Sequence, residues 1–100
     1  MKVNVQAVNF NVDKKLVNFT QERLDKLEKF YDKIVSSDVF LKVENMSDKE
    51  NKIVEIKINV PGDDLMVKKT AKTFEEAVDS CVNSLERVLI RHKEKIRAHV

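Results

Sequence analysis

From Thr73 to Ala98 the chain reads TFEEAVDSCVNSLERVLIRHKEKIRA, with no glycine or proline to interrupt it. Apolar residues recur at helical spacing: Phe74, Ala77, Val78, Cys81, Val82, Leu85, Val88, Leu89 and Ile96. They define one face of an amphipathic helix. Thr73, followed three residues later by Glu76, forms a capping box that marks its start. About a quarter of a 100-residue chain is thus committed to one helix. Such a helix must bury its stripe against another element.

The rest of the sequence supplies that surface. In KVNVQAV, residues 2–8, Val3, Val5 and Ala7 point one way and Asn4 and Gln6 the other, as in a half-buried strand. Val39, Leu41 and Val43 alternate with Phe40, Lys42 and Glu44 in a second strand. Val54, Ile56, Ile58 and Val60 alternate with Glu55, Lys57 and Asn59 in the clearest strand of all. Leu65 and Val67 open a weaker fourth strand, which carries Lys68, Lys69 and Lys72. Asp13 is a suitable N-cap for a first helix over Lys14–Ile34, whose stripe is Leu16, Phe19, Leu24, Leu27, Phe30, Tyr31 and Ile34. Ser36, Ser37 and Asp38 are expected to break that helix. Ser47 to Asn51 reads as a polar turn, and Pro61-Gly62-Asp63-Asp64 as a turn by its chemistry.

The expected order is β-α-β-β-β-α, in the α+β class. Strands two to four form an antiparallel meander. The first pairs with the second in parallel through a right-handed crossover. Both helices are expected to pack on one face of the four-stranded sheet, within a single domain spanning residues 1–100. An apolar content of 42% is enough for a modest core but not for a large buried cavity. The lone cysteine, Cys81, excludes an intrachain disulfide and any zinc site built on several cysteines, and it fits a reducing, cytoplasmic setting. No apolar run approaches the roughly 20 residues of a membrane span. The alternating N-terminus lacks the continuous apolar core of a signal peptide. The protein is therefore expected to stay where it is made.

Catalytic chemistry is hard to build from these residues. His92 falls on the apolar stripe of the last helix, with Lys and Arg as its neighbours, so it reads as a packing or boundary residue. The other histidine is His99, and no nucleophile-base constellation is found. Cys81 lies on the same stripe and reads as a small core residue. Asp63-Asp64 belong to a turn, and Glu75-Glu76 sit where acids favour the helix dipole. Gly62 is the only glycine, so no Gly-rich phosphate loop exists. No enzyme activity, cofactor or metal is expected.

Charge is distributed unevenly. From Arg87 onward the chain carries five Lys/Arg against one acid, Glu94, whereas the whole chain is only +2. Arg87, Arg91 and Lys95 follow i, i+4, i+8 spacing, and Lys93 and Arg97 add a second basic pair. This pattern fits a solvated, dipole-completing helix end and a polyanion surface equally well. A basic flank on the first helix favours the second reading. Lys15, Lys26, Lys29 and Lys33 lie there, although Glu22 and Asp25 are spaced to pair with Lys26 and Lys29. Arg23 projects near the apolar stripe. With both helices side by side, the two flanks are expected to line a shared groove suited to a phosphate backbone.

Three blocks carry a family resemblance. Lys26-Leu27-Glu28-Lys29-Phe30-Tyr31-Asp32-Lys33-Ile34 is similar to the end of the first helix in the ribosome hibernation promoting factor family. That family includes the ribosome-associated inhibitor proteins and also goes by the name of sigma-54 modulation proteins. Leu41-Lys42-Val43-Glu44 resembles the family's second strand. Ala77-Val78-Asp79, Leu85, Arg87, Leu89 and Arg91-His92-Lys93-Glu94-Lys95 resemble its last helix. The chain departs from the pattern at Thr73-Phe74-Glu75, at Ser84, where a basic residue is common, and at Val88, where Gln is usual.

The resemblance implies a translation inhibitor, without enzymatic activity, of the cytoplasmic small ribosomal subunit. It would sit over the decoding region of 16S rRNA, in the path of mRNA and of A- and P-site tRNA. The rRNA contacts carried over are Arg23, Lys26, Lys29, Lys33, Arg87, Arg91, Lys93 and Lys95. The chain's length matches the family's short form. Any ribosome dimerisation would depend on other factors. The free protein is expected as a monomer. A weak homodimer or a protein partner would use Phe40, Ile53 and Met66, which the alternation puts on the open sheet face. The other readings are a general binder of double-stranded RNA and a protein-interaction regulator.

Overall fold

The strict alternation of residues 52–60 becomes strand β3 (Lys52–Val60), whose Val54, Ile56, Ile58 and Val60 are buried on one face. The computed structural model describes residues 1–8, 10–44 and 51–98. In it β3 is an inner strand of a four-stranded sheet ordered β1-β2-β3-β4. Strand β1 (Lys2–Val8) runs parallel to β2 (Ser36–Val43). Strand β3 is antiparallel both to β2 and to β4 (Asp63–Ala71). The register lines up Val5, Val39, Ile56 and Val67 as one apolar row across the sheet.

Helix α1 (Lys14–Asp25) starts where the sequence places it. The Asp13 carboxylate accepts the Leu16 N–H at 2.8 Å. Thr20 is buried in mid-helix with its hydroxyl satisfied, because it donates to the Leu16 carbonyl at 2.8 Å. Helix α2 (Phe74–Ala98) starts at Thr73, whose Oγ1 accepts the Glu76 N–H at 3.1 Å. Both helices cover the same sheet face. Leu16 and Leu24 of α1 and Ala77, Val78, Cys81, Leu85 and Leu89 of α2 share one core with Val39, Leu41, Val54, Ile56 and Ile58. Helix α2 lies over β3 and β4 and packs against α1 along its side. Phe10 stacks on Phe74 at 5.2 Å between ring centroids, closing the core where α2 begins.

Four expectations need correction. The first helix ends at Asp25 rather than Ile34 and continues as a 3-10 turn, Lys26–Lys29. Leu24, Leu27 and Tyr31 remain buried through this change of winding, so the periodic signal survives while the helix does not. Ser36–Asp38 do not break the chain but begin β2. Their polar groups are satisfied across the sheet: Asn59 Nδ2 donates to Ser36 Oγ at 2.7 Å, and Asn4 Nδ2 to Asp38 Oδ1 at 3.1 Å. Strand β4 is as long as β3, because Asp63 already pairs with Val60 and the turn contracts to Pro61-Gly62. Ile96, expected on the apolar face, is 45% exposed. The turn expected at Ser47 to Asn51 lies, up to Glu50, outside the described residues, as does His99.

Ile96 is exposed because α2 outruns its support. Its 25 residues span about 37 Å, and Leu89 is the last buried side chain among those described. Beyond it, Ile90, Arg91, Lys93, Glu94, Lys95 and Ile96 are all exposed. Among the described side chains beyond Leu89, only His92 stays half-buried, with its ring edge-on to Tyr31 at 5.5 Å and 87°. The C-terminal end of α2 is therefore an overhang beyond the core.

The Pro61-Gly62 turn gives a clean backbone test. Gly62 has φ 79°, and a Cβ there would meet nothing within 4 Å. Gly62→Ala should therefore cost only the backbone term, about 1–2 kcal/mol in urea denaturation. Gly62→Asn should cost less, since Asn tolerates this conformation.

Candidate nucleic-acid interface

Lys26 and Lys29 lie on the 3-10 turn that ends the first helical segment, and Lys33 follows in the next turn of chain. Arg87, Arg91, Lys93 and Lys95 occupy the last part of α2. All seven are exposed and, among the described residues, none forms an ion pair. The acids spaced to neutralise Lys26 and Lys29 do not do so. Asp25 instead accepts a hydrogen bond from Gln21 at 2.9 Å and lies 3.6 Å from the amino group of Met1. Glu28 also binds that amino group.

Arg23 is placed differently. Its Nε is 3.0 Å from Asp79 of α2, and its guanidinium lies 4.8 Å from the centre of the Phe19 ring. It bridges the two helices over an aromatic support. The spacing of basic residues gives no hint of Asp79 as its partner.

Among the described residues, the cations do not share a single groove. Lys29, Lys33 and Lys93 line an open cleft of about 420 Å³ between residues 28–33 and the overhang of α2. Its apolar lining comes from Phe30, Tyr31 and Ile96. Of the residues expected to share a groove, Lys29 and Lys33 line this cleft, and Lys93 of the second basic pair stands across from them. The expectation of a shared groove does not hold for the other basic set. Lys93 faces the first helical segment, and at 100° per residue Arg91 and Lys95 lie roughly 160° around the helix from it. Arg87, Arg91 and Lys95 therefore run along the outer side and far flank of α2. Ser84 sits one turn before Arg87 on that stripe, so the stripe begins a turn late. Lys15 lies about 16 Å along the axis from Lys26 and stays apart from both sets. The side chain of Arg97 lies outside those described. The aromatic wall of the cleft escaped sequence reading, because Phe30 and Tyr31 carry the same periodic signal as core residues.

The open sheet face offers less. A depression of about 220 Å³ is lined by Val8, Phe40, Lys42, Ile53, Glu55 and Lys68, among others. Ile53 is only 6% exposed, and Met66, 57% exposed, stands opposite Lys57, one cross-strand row beyond Glu55 and Lys68. Phe40, Ile53 and Met66 thus form no continuous patch. No group of three or more His, Cys, Asp or Glu able to hold a metal occurs among the described residues. None of the described helices is long and apolar enough to cross a membrane.

Comparisons with known proteins bear on the family and the fold. A family model described as Sigma 54 modulation protein / S30EA ribosomal protein matches residues 3–97. The chain is 30% identical over 95 residues to the ribosome hibernation promoting factor of Pseudomonas putida, covering 95% of this chain and 89% of that protein. It is 26% identical over 99 residues to the corresponding Escherichia coli K12 factor, covering 99% of this chain and 100% of that one. The structure of a ribosomal subunit interface protein from Coxiella burnetii superimposes with a TM-score of 0.83 at 19% identity, covering 94% of this chain and 99% of that one, and so shares its fold.

Cys81 is a buried core residue whose Sγ lies 3.5 Å from the Val54 carbonyl. Burial pushes its thiol up to about 11, against the opposing pull of Lys69. The unfolded chain releases this proton near 9.0, while the folded chain holds it to about 11. Stability should therefore fall as pH rises across that window. Urea titrations at pH 8, 9.5 and 11 should show a smaller fall for Cys81→Ala than for the wild type. At pH 8 a thiol reagent should label the folded protein only as fast as it unfolds.

Proposed function

Since the chain belongs to the Sigma 54 modulation protein / S30EA ribosomal protein family, we propose that it is a cytoplasmic ribosome hibernation factor. It binds the small subunit over the decoding region of 16S rRNA, overlapping the path of mRNA and the A- and P-site tRNAs. Translation stops by occupancy, without catalysis, and resumes on release. Ribosome dimerisation, where it occurs, depends on other factors, and the free protein is a monomer in one domain.

The observation that carries this reading is the set of exposed cations, gathered at one end of the molecule, that have no ion-pair partner among the described residues. Lys26, Lys29, Lys33 and Lys93 supply one set of phosphate contacts, and Arg87, Arg91 and Lys95 supply the other. Arg23 contributes through its remaining donors while Asp79 holds it. Each contact releases counterions, so affinity for the subunit should depend steeply on salt. The arginines on the α2 stripe match phosphate with a planar fork of donors, where lysine offers a point charge.

Cosedimentation with purified small subunits across a salt series tests the proposal. Wild-type protein should pellet at low salt and be lost steeply as salt rises. Arg87→Glu with Arg91→Glu should abolish pelleting and restore cell-free translation. Its thermal melt should stay near that of the wild type, because neither side chain enters the core. A double variant that binds and inhibits like the wild type removes this stripe from the interface. A free RNA duplex that competes as well as subunits do would favour the general double-stranded RNA reading.

A further inference from the structure

We propose that the cleft between residues 28–33 and the overhang of α2 receives one unstacked nucleotide of single-stranded RNA. Its phosphate would lie on the lysines, and its base against Phe30, Tyr31 and Ile96. The inference deepens the RNA-binding reading above and rests on it.

Size limits the occupant. A volume of about 420 Å³ is within the range of small-ligand sites. It holds one nucleotide and is far too small for a duplex. Chemistry limits it further. The cleft joins an apolar wall to cations, as a nucleotide joins a flat base to a phosphate. A duplex hides the faces of its bases and offers phosphates and hydroxyls, which have no use for an apolar wall.

Charge supports the same occupant. Lys29, Lys33 and Lys93 face two acids in the lining, Glu28 and Asp32. Glu28 is engaged by the amino group of Met1, which leaves the lysines in excess over Asp32. The wall is also held in place. Tyr31 is buried and meets the His92 ring edge-on at 5.5 Å, so its ring does not swing freely into the cleft. Ile96 closes the far side, and its 45% exposure becomes useful once a base covers it. These three lysines are continuous with the surface proposed for rRNA, so a strand crossing that surface can turn one base inward.

The test is an NMR titration of the full chain, following backbone amides and the Ile96 methyls. Four probes are compared: an unstructured tetranucleotide of RNA, its abasic counterpart with the same phosphates, a short RNA duplex, and a nucleoside 5′-monophosphate. The tetranucleotide should shift signals of residues 29–33, Lys93 and Ile96. The abasic strand should bind about tenfold more weakly, as expected for the loss of a base stack. Ile96→Ser and Phe30→Ser should bring the two strands close to equal affinity. Ile96 is exposed, so the first variant tests the cleft without disturbing the core. The inference is overturned if base-bearing and abasic strands bind wild-type protein alike, or if the shifts fall only on Arg87 and Arg91. It is also overturned if the duplex or the monophosphate binds the cleft as tightly as the tetranucleotide. Small-subunit cosedimentation of the same samples separates the two readings. Wild-type protein that pellets while its cleft signals stay unmoved defeats this inference alone. Wild-type protein that shifts its cleft signals but never pellets defeats the ribosome reading alone.

Discussion

The structure depends on α2 burying its stripe across β3 and β4. Ala77, Val78, Cys81, Leu85 and Leu89 lose their water there, against Val54, Ile56 and Ile58. Each fully buried aliphatic side chain of this kind contributes about 1.5–3 kcal/mol. A surface ion pair such as Arg23–Asp79 contributes about 0.2–1 kcal/mol. The core therefore holds the helices on the sheet, and the ion pair only adjusts how they face each other. The sheet supports α2 as far as Leu89, and beyond it the His92 ring against Tyr31 is the packing the helix keeps among the described side chains.

That overhang is where the charge gathers, and the placement is physically inexpensive. Two like charges about 6 Å apart in water repel by roughly 0.7 kcal/mol, and salt screens them over about 8 Å. Exposed cations at a helix C-terminus also complement its dipole. The overhang can thus carry Arg91, Lys93 and Lys95 with only Glu94 among them, and Arg87 stands just before it. Stability of the fold and availability of the cations come from different parts of the same helix, which is why one can be changed without the other.

Much of this was legible in the sequence. The alternation of Val54, Ile56, Ile58 and Val60 gave the inner strand, and Asp13 and Thr73 gave both helix starts. What escaped was information that local pattern does not hold. The stripe Leu24, Leu27, Tyr31 reads alike whether the backbone winds as an α-helix or tightens into a 3-10 turn. Ser36–Asp38 look like a break until Asn4 and Asn59, distant in sequence, supply their hydrogen bonds. Periodicity sorted the basic residues of α2 into two sets, but only the packed fold shows which set faces the first helical segment. Asp79 as the partner of Arg23, and Phe30 with Ile96 as cleft walls, are likewise products of tertiary placement.

The separation of the two basic sets restricts the shape of any polyanion that engages both. Lys93 looks into the cleft, while Arg91 and Lys95 lie roughly 160° around the same helix. A flat surface, or one side of a straight duplex, reaches one flank of a helix some 10 Å across and leaves the other in water. A partner that contacts both flanks must be concave and enclose the overhang. Folded RNA with a deep groove meets that requirement, and a free duplex does not. The charge of this chain is modest, so selectivity for such a partner would have to come from the opposed basic flanks at the end of α2.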